Sequence, residues 1–184
     1  MSKAKVIVVG PPESGKTFLC NFLADATEFS GGEYHPTQGV RILEFETSAA
    51  DSGRSNLDVE LWDCSGDRRF ESCWPAMARD ASGAIFVYNP DQSNHDKELD
   101  TWYDFLIKNQ HLKEPQCYVF AHHRPNTGGE STDLSNNFGK IPVVHTNLEE
   151  DHDSVRKEFN RFLSTLVRAM SSNREQEELS IMNQ

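Results

Sequence analysis

The chain has 184 residues, a formal net charge of −11 and a pI near 5.0. That length fits one domain with a sheet covered on both faces. The acidic balance excludes nucleic acid and anionic membrane as broad electrostatic partners, and leaves a basic protein surface open. Cys20, Cys64, Cys73 and Cys117 stand in or beside apolar runs without metal-ligand spacing, so buried reduced thiols of a cytosolic protein are expected. The first strand begins within five residues, which leaves no room for a signal peptide. No apolar run approaches the ~20 residues of a membrane span. Ser2 stands where myristoylation requires glycine, and no C-terminal cysteine is present to prenylate, so no lipid anchor is expected.

Lys5-Val6-Ile7-Val8-Val9 opens the chain as an apolar run of strand type. Gly10-Pro11-Pro12-Glu13-Ser14-Gly15-Lys16-Thr17 follows and fits G-x-x-x-x-G-K-T. Phe18-Leu19-Cys20-Asn21-Phe22-Leu23-Ala24 then carries apolar residues at helical spacing. Between strand and helix, such a loop lets backbone N–H groups and the helix N-terminus surround a polyphosphate. Lys16 would reach the β- and γ-phosphates, and the Thr17 hydroxyl would ligate Mg²⁺. A chance match in an ordinary strand–turn–helix is the competing reading, and the flanking pattern argues against it.

Residues 27–38 are polar, hold Gly31-Gly32 and Pro36-Thr37, and read as a loop. Val40 to Phe45 alternates in part, and Leu57 to Trp62 alternates cleanly, so a hairpin is expected around a turn over 47–56. Asp63-Cys64-Ser65-Gly66 ends the second of these strands, and a helix with two aromatics is expected over about 69–79. Gly83 to Tyr88 is a continuous apolar strand. Asn89-Pro90-Asp91 breaks it, and Ser93 is placed to cap a helix carrying Leu99, Trp102, Tyr103, Leu106 and Ile107. Cys117 to Ala121 is another buried strand, 122–139 a long polar loop, and Ile141 to Val144 a last short strand. A final helix is expected over about 151–170, burying Val155, Phe159, Phe162, Leu163, Leu166 and Val167. The alternation predicts a three-layer α/β fold. Its sheet is six-stranded and mostly parallel, with one antiparallel edge strand and helices on both faces. Residues 1–170 form this single P-loop domain, and 171–184 a frayed polar tail.

Ligands on such sheets sit at the carboxyl ends of the strands, where every motif here falls. Asp63 opens D-x-x-G, so its carboxylate is placed to hold Mg²⁺ through water, and the Gly66 N–H to approach a γ-phosphate. Thr37, about 20 residues after Lys16, is placed to give a second hydroxyl to the metal and an N–H to the γ-phosphate. Its loop would then order only when that phosphate is bound. Taken singly, Asp63 also reads as a turn cap and Thr37 as an ordinary loop hydroxyl; their order and spacing after the P-loop favour the functional reading. Trp62, Trp74 and Phe70 beside the second switch read either as a protein-binding surface or as core.

Four strings, Gly10 to Thr17, Pro36 to Phe45, Leu61 to Asp67 and Phe70 to Ala76, carry a resemblance. With Ala121-His122-His123 and Ser180-Ile181-Met182, they resemble the Rab-like small GTPase subunit of the intraflagellar transport B complex, a Ras-superfamily branch, over residues 3–169. The resemblance implies a GTP- or GDP-binding, Mg²⁺-dependent subunit of ciliary transport trains, required for assembly of the cilium or flagellum. It also implies docking on a coiled-coil pair of other subunits, location in the cytoplasm, the cilium and its base, and a monomer when alone. Carried over, it assigns nucleotide binding to Pro12, Glu13, Ser14, Gly15, Lys16, Thr17, Phe29, Thr37, Gly66, His122, His123, Thr146, Asn147 and Leu148. It assigns the metal to Thr17, Thr37 and Asp63.

The departures from that family matter more. Its N-K-x-D motif, whose carboxylate pairs with guanine, is His122-His123-Arg124-Pro125 here. Losing a charge-assisted pair costs about 2 kcal/mol or more. The third base motif is His145-Thr146-Asn147-Leu148, whose backbone N–H groups still fit a base carbonyl. Phe29 reads as a stacking partner of the base or as packing. The His122-His123 pair reads as a metal pair or as structural, and the structural reading is favoured because neighbours at a strand end face opposite ways. Asp67 stands where the family places a water-orienting Gln, and lacks its amide donor. Unless it points to solvent, its charge would repel the γ-phosphate. Pro12 crowds the entry path, or merely stiffens the loop, and Pro11 and Pro12 remove two N–H donors. No catalytic residue is therefore assigned, and turnover is expected to be slow or negligible. A nucleotide-loaded adaptor is the favoured reading; a cycling GTPase whose hydrolysis releases its partner is the alternative. An ATP-using P-loop kinase fails, because no Arg-rich lid is visible.

Overall fold

The computed structural model describes residues 2–26, 35–48, 56–124 and 133–182. Its strands are β1 (Ser2–Val9), β2 (Val40–Ser48), β3 (Asn56–Cys64), β4 (Gly83–Tyr88), β5 (Cys117–His122) and β6 (Val143–Thr146). They form one sheet in the order β2-β3-β1-β4-β5-β6. β2 runs antiparallel to β3 with Val40 opposite Cys64, and the other pairings are parallel. The expected six-stranded sheet with one antiparallel edge is therefore observed.

Successive side chains on β1 serve opposite faces, as a period of two requires. Val6 and Val8 join Leu19 and Cys20 of α1 (Lys16–Leu23) and Phe159, Phe162 and Leu166 of α4 (His152–Met182). Ile7 and Val9 join the opposite core with Trp74 of α2 (Trp74–Ala78) and Leu99 and Trp102 of α3 (His95–Tyr103). Four of the six β4 residues, Ala84 to Val87, have no exposed surface, which accounts for that strand's unbroken apolar run. Among the described residues no helix is long and apolar enough to cross a membrane.

Several boundaries differ from the sequence-based expectation. The helix expected over 69–79 is a 3₁₀ segment, Arg68–Cys73, followed by α2, which restarts with Pro75 in its first turn. Asn94, at a left-handed φ of 76°, precedes α3 in place of a Ser93 cap. The last turns of α3 widen into a π-helix over Asp104–Asn109. The final helix does not stop near residue 170: α4 runs for 31 residues to Met182. Glu and Gln support a helix without an apolar stripe, so polarity alone did not mark an end. Cys20, Cys64 and Cys117 are buried as expected, but Cys73 is exposed at the end of the 3₁₀ segment.

Two aromatics settle as core. Trp74 is buried and stacks on Trp102 with 3.7 Å between centroids, so it belongs to packing and not to a free surface. Phe138, inside the stretch expected to be a polar loop, is 2% exposed. It meets Phe86 and Tyr103 edge-on at 5.4 and 5.2 Å. Phe138→Ala should therefore lower stability by roughly 3–5 kcal/mol, measured by urea unfolding; a change within about 0.5 kcal/mol would mark it as an ordinary surface residue.

Candidate phosphate and metal site

The loop 10–17 links β1 to α1 at the carboxyl end of the sheet. Gly15 precedes α1 with φ 92°, and a Cβ there would lie 2.5 Å from His122 Cδ2. The residue must be glycine on both counts. Lys16 opens α1 and is buried. Its ammonium donates to Gly10 O at 3.0 Å and Pro11 O at 2.6 Å, with Ser14 Oγ at 3.5 Å. Burial pulls its pKa down to about 8, against the attraction of Asp63. A cation held in a polar loop with its charge poorly solvated is prepared to accept an anion.

Three segments meet next to it. Thr17 Oγ1 donates to Asp63 Oδ2 at 2.6 Å. Thr37 Oγ1 lies 2.9 Å from Thr17 Oγ1 and 3.4 Å from Asp63 Oδ2. A hydroxyl has one proton, so with Thr17 spending its own on Asp63, the Thr37 proton is shared between Thr17 Oγ1 and Asp63 Oδ2. Asp63 has no exposed surface, and its Oδ1 is buried without a hydrogen-bond partner. Burial pushes its pKa up, partly offset by the Thr17 bond, Lys16, Arg41 and the Thr37 bond. One carboxylate with an orphaned oxygen and two hydroxyls is an all-oxygen donor set, which fits a hard divalent cation such as Mg²⁺.

The D-x-x-G segment is seated on the P-loop. A Cβ at Gly66 would lie 2.5 Å from Pro12 N and 2.6 Å from Gly10 O, so only glycine allows this approach. Ser65 N donates to Gly39 O at 2.8 Å, which ties this segment to the one carrying Thr37. Asp67 is turned into its own 3₁₀ segment: it accepts from Arg69 N at 2.9 Å and pairs with the Arg69 guanidinium at 2.7 Å. The Arg69 hydrogen bonds hold its pKa down. Its charge is thus met by Arg69 and not left facing the P-loop.

The expected base-binding residues divide. His122 is buried against Gly15, and its Nδ1 lies 3.0 Å from Thr146 Oγ1. Burial, then the His123 charge, push its pKa down to about 4. His122 thus braces the P-loop as a neutral ring. His123 faces His145, ring stacked on ring at 5.2 Å with Nε2 2.9 Å from Nδ1, and its own Nδ1 is 3.7 Å from Asp91 Oδ2. The Asn147 side-chain oxygen Oδ1 accepts from Glu149 N and Glu150 N at 3.1 and 3.3 Å, shaping the turn before α4. Leu148 is buried in the core. Phe29 and Pro125 lie outside the described residues. The structure therefore gathers Pro12, Ser14, Gly15, Lys16, Thr17, Thr37, Asp63, Gly66 and His122 around the loop, while the Asn147 side chain shapes a turn and that of Leu148 packs in the core. Arg41 and Arg69 carry no role in the sequence-based expectation, and His145 enters it only as the first residue of the third base motif. Only Arg69, two residues after Asp67, had a local signal; the other two are placed by strand register.

A family model described as the Roc (Ras of Complex) domain of DAPkinase matches residues 5–123. The chain is 49% identical over 186 residues to the intraflagellar transport protein 22 homologue of Danio rerio, across 99% of this chain and 100% of that one. Among solved structures it is similar to a GTP-bound T. brucei IFT22/74/81 structure (TM-score 0.75, 28% identity, 94% of this chain and 99% of that one). It is also similar to a GDP-bound T. brucei IFT22 structure (TM-score 0.67, 26% identity, 92% and 99% covered).

Two outcomes follow from the buried bases of the site. Lys16 has its pKa lowered from 10.5 to about 8, so the folded state carries the full cost below pH 8 and sheds it as pH rises toward the unfolded value. Lys16→Met should raise nucleotide-free stability at pH 7 by roughly 1–3 kcal/mol, and the excess should shrink above pH 8. For His122 the unfolded state binds more protons between pH 6.5 and 4, so stability falls as pH falls through that window. Urea midpoints should show wild type losing roughly 1–3 kcal/mol more than His122→Gln across it.

Proposed function

The chain belongs to the intraflagellar transport protein 22 family of small GTPase-like proteins, and on that premise we propose that it is a guanine-nucleotide-loaded adaptor subunit of intraflagellar transport trains, with little hydrolysis of its own. The observation that carries this reading is the meeting of Thr17, Thr37 and Asp63, from three separate segments, around one orphaned carboxylate oxygen. Mg²⁺, held by the Thr17 and Thr37 hydroxyls and by Asp63 through water, would neutralise phosphate charge. Lys16 would exchange the carbonyls of Gly10 and Pro11 for the β- and γ-phosphates. Pro12, Glu13, Ser14 and Gly15 would wrap the phosphates, and the Gly66 N–H would meet the γ-phosphate.

Thr37 is the switch element in this account. It joins the site only by bringing its loop with it, so a γ-phosphate that engages Thr37 and Gly66 orders both segments at once. The ordered surface, with the half-buried Trp62 and Phe70 beside it, would then hold a coiled-coil pair of train subunits. A relative solved as IFT22/74/81 in a GTP-bound form supports partners from the same complex. Relatives solved in GTP- and GDP-bound forms support guanine nucleotides. His123, Thr146, Asn147 and Leu148 would border the base through ring or backbone, and Phe29 would stack on it. Residence at the cilium or flagellum, at its base and in the cytoplasm goes with that assembly.

Slow turnover follows from two side chains. Asp67 has no amide donor for the attacking water, and its carboxylate is taken by Arg69. Pro12 lies against Gly66, where water would enter. Single-turnover hydrolysis of GTP should run at or below about 10⁻³ s⁻¹. Pull-down of the coiled-coil subunit pair should be at least about tenfold tighter with GTP than without nucleotide, and Thr37→Ala should abolish that difference. Equal partner affinity in all nucleotide states would remove the switch from the account. Rapid hydrolysis coupled to partner release would replace the adaptor with a cycling enzyme.

A further inference from the structure

Arg41 plays no part in that scheme, yet it lies beside the site's carboxylate. It stands on β2 directly opposite Asp63 of β3. Residues opposite one another in an antiparallel pair project to the same face. Its Nε is 3.8 Å from Asp63 Oδ2, too far for a hydrogen bond, and is buried with no acceptor. Its Nη2 donates to Asn21 Oδ1. Asn21 follows Thr17 by one turn of α1, so the two share a side of that helix. The contacts close a ring from Thr17 to Asp63, Asp63 to Arg41, Arg41 to Asn21, and along α1 back to Thr17. Two cations act on this carboxylate, Lys16 and Arg41. Lys16 is committed to the carbonyls of Gly10 and Pro11 and, on the proposed reading, to phosphate. Arg41 has no such commitment, and its bond to Asn21 holds the guanidinium beside Asp63.

We propose that Arg41 is a positioning residue of the magnesium site: a resident counter-charge that holds Asp63 in place without metal and against which the metal must bind. This rests on the reading of Thr17, Thr37 and Asp63 as the metal set. A buried carboxylate without a cation is strongly unfavourable, so Arg41 stabilises the metal-free fold. A divalent cation brought to the same buried carboxylate meets the guanidinium, whose side chain is 35% exposed, at short range, where like charges repel. The two effects have opposite signs. An arginine that only packed α1 onto the sheet would add stability with or without metal and leave the metal requirement unchanged.

The test uses the full chain loaded with a fluorescent guanine nucleotide, and follows nucleotide release across a Mg²⁺ titration and thermal unfolding in chelator. Arg41→Gln should retain nucleotide at about three- to tenfold lower Mg²⁺ than wild type, while its metal-free midpoint temperature falls. Arg41→Lys keeps the charge and should stay within about twofold of wild type in the Mg²⁺ titration. Asn21→Ala unties the guanidinium without removing it, and should shift the Mg²⁺ requirement in the direction of Arg41→Gln by a smaller factor, a check that holds even where Arg41→Gln fails to fold. An unchanged Mg²⁺ requirement in Arg41→Gln and Asn21→Ala, with wild type clearly Mg²⁺-dependent, overturns the role of Arg41 and leaves the metal reading standing. Release from wild type that ignores Mg²⁺ overturns both.

Discussion

The Asp63 carboxylate has no exposed surface and one oxygen without a partner. Burying such a group is unfavourable unless cations and hydroxyls surround it, and the site is built to supply them. β3 carries it in from one side, α1 brings Thr17 and, one turn on, Asn21, and β2 brings Arg41 in register. Thr37 is the one contributor from outside a regular element, since it precedes β2. That difference sets Thr37 apart from the contributors that a strand or helix holds in place.

The P-loop meets a second constraint. Lys16 is kept in a poorly solvating place, tied to backbone carbonyls, with its pKa drawn down. His122 is pressed against Gly15 as a neutral ring and tied to Thr146. Each arrangement sacrifices stability for a loop of fixed shape, as functional sites commonly do. The P-loop is therefore well organised. At the family's guanine-reading position the sequence has no carboxylate, and His123 stacks on His145.

Much of this was legible because it is locally encoded. The spacing from Gly10 to Thr17, the β-branched runs of β1 and β4, and the alternation before Asp63 each reflect chemistry within a few residues. What escaped depends on register or on single side chains. Arg41 meets Asp63 only because Val40 pairs with Cys64, and no local pattern announces that alignment. Phe138 is one aromatic in a polar stretch, so no periodicity marks it as core. Polarity after residue 170 suggested a frayed tail, although residues that favour a helix need no apolar face to continue one. Trp74 and Trp102 belong to separate segments, and only the packing of α2 against α3 stacks them.

The account stands on one claim, that the meeting of Thr17, Thr37 and Asp63 is a magnesium–nucleotide site and not a hydroxyl cluster closing a helix onto a sheet. Titration of the purified full chain with GTP, GDP and ATP, each with and without Mg²⁺, tests it most directly. The account predicts that GTP and GDP bind, that Mg²⁺ strengthens GTP binding, and that ATP binds at least about tenfold more weakly. No binding of any of the three, or binding that Mg²⁺ leaves unchanged, would contradict it and leave the P-loop as a structural element of a plain adaptor.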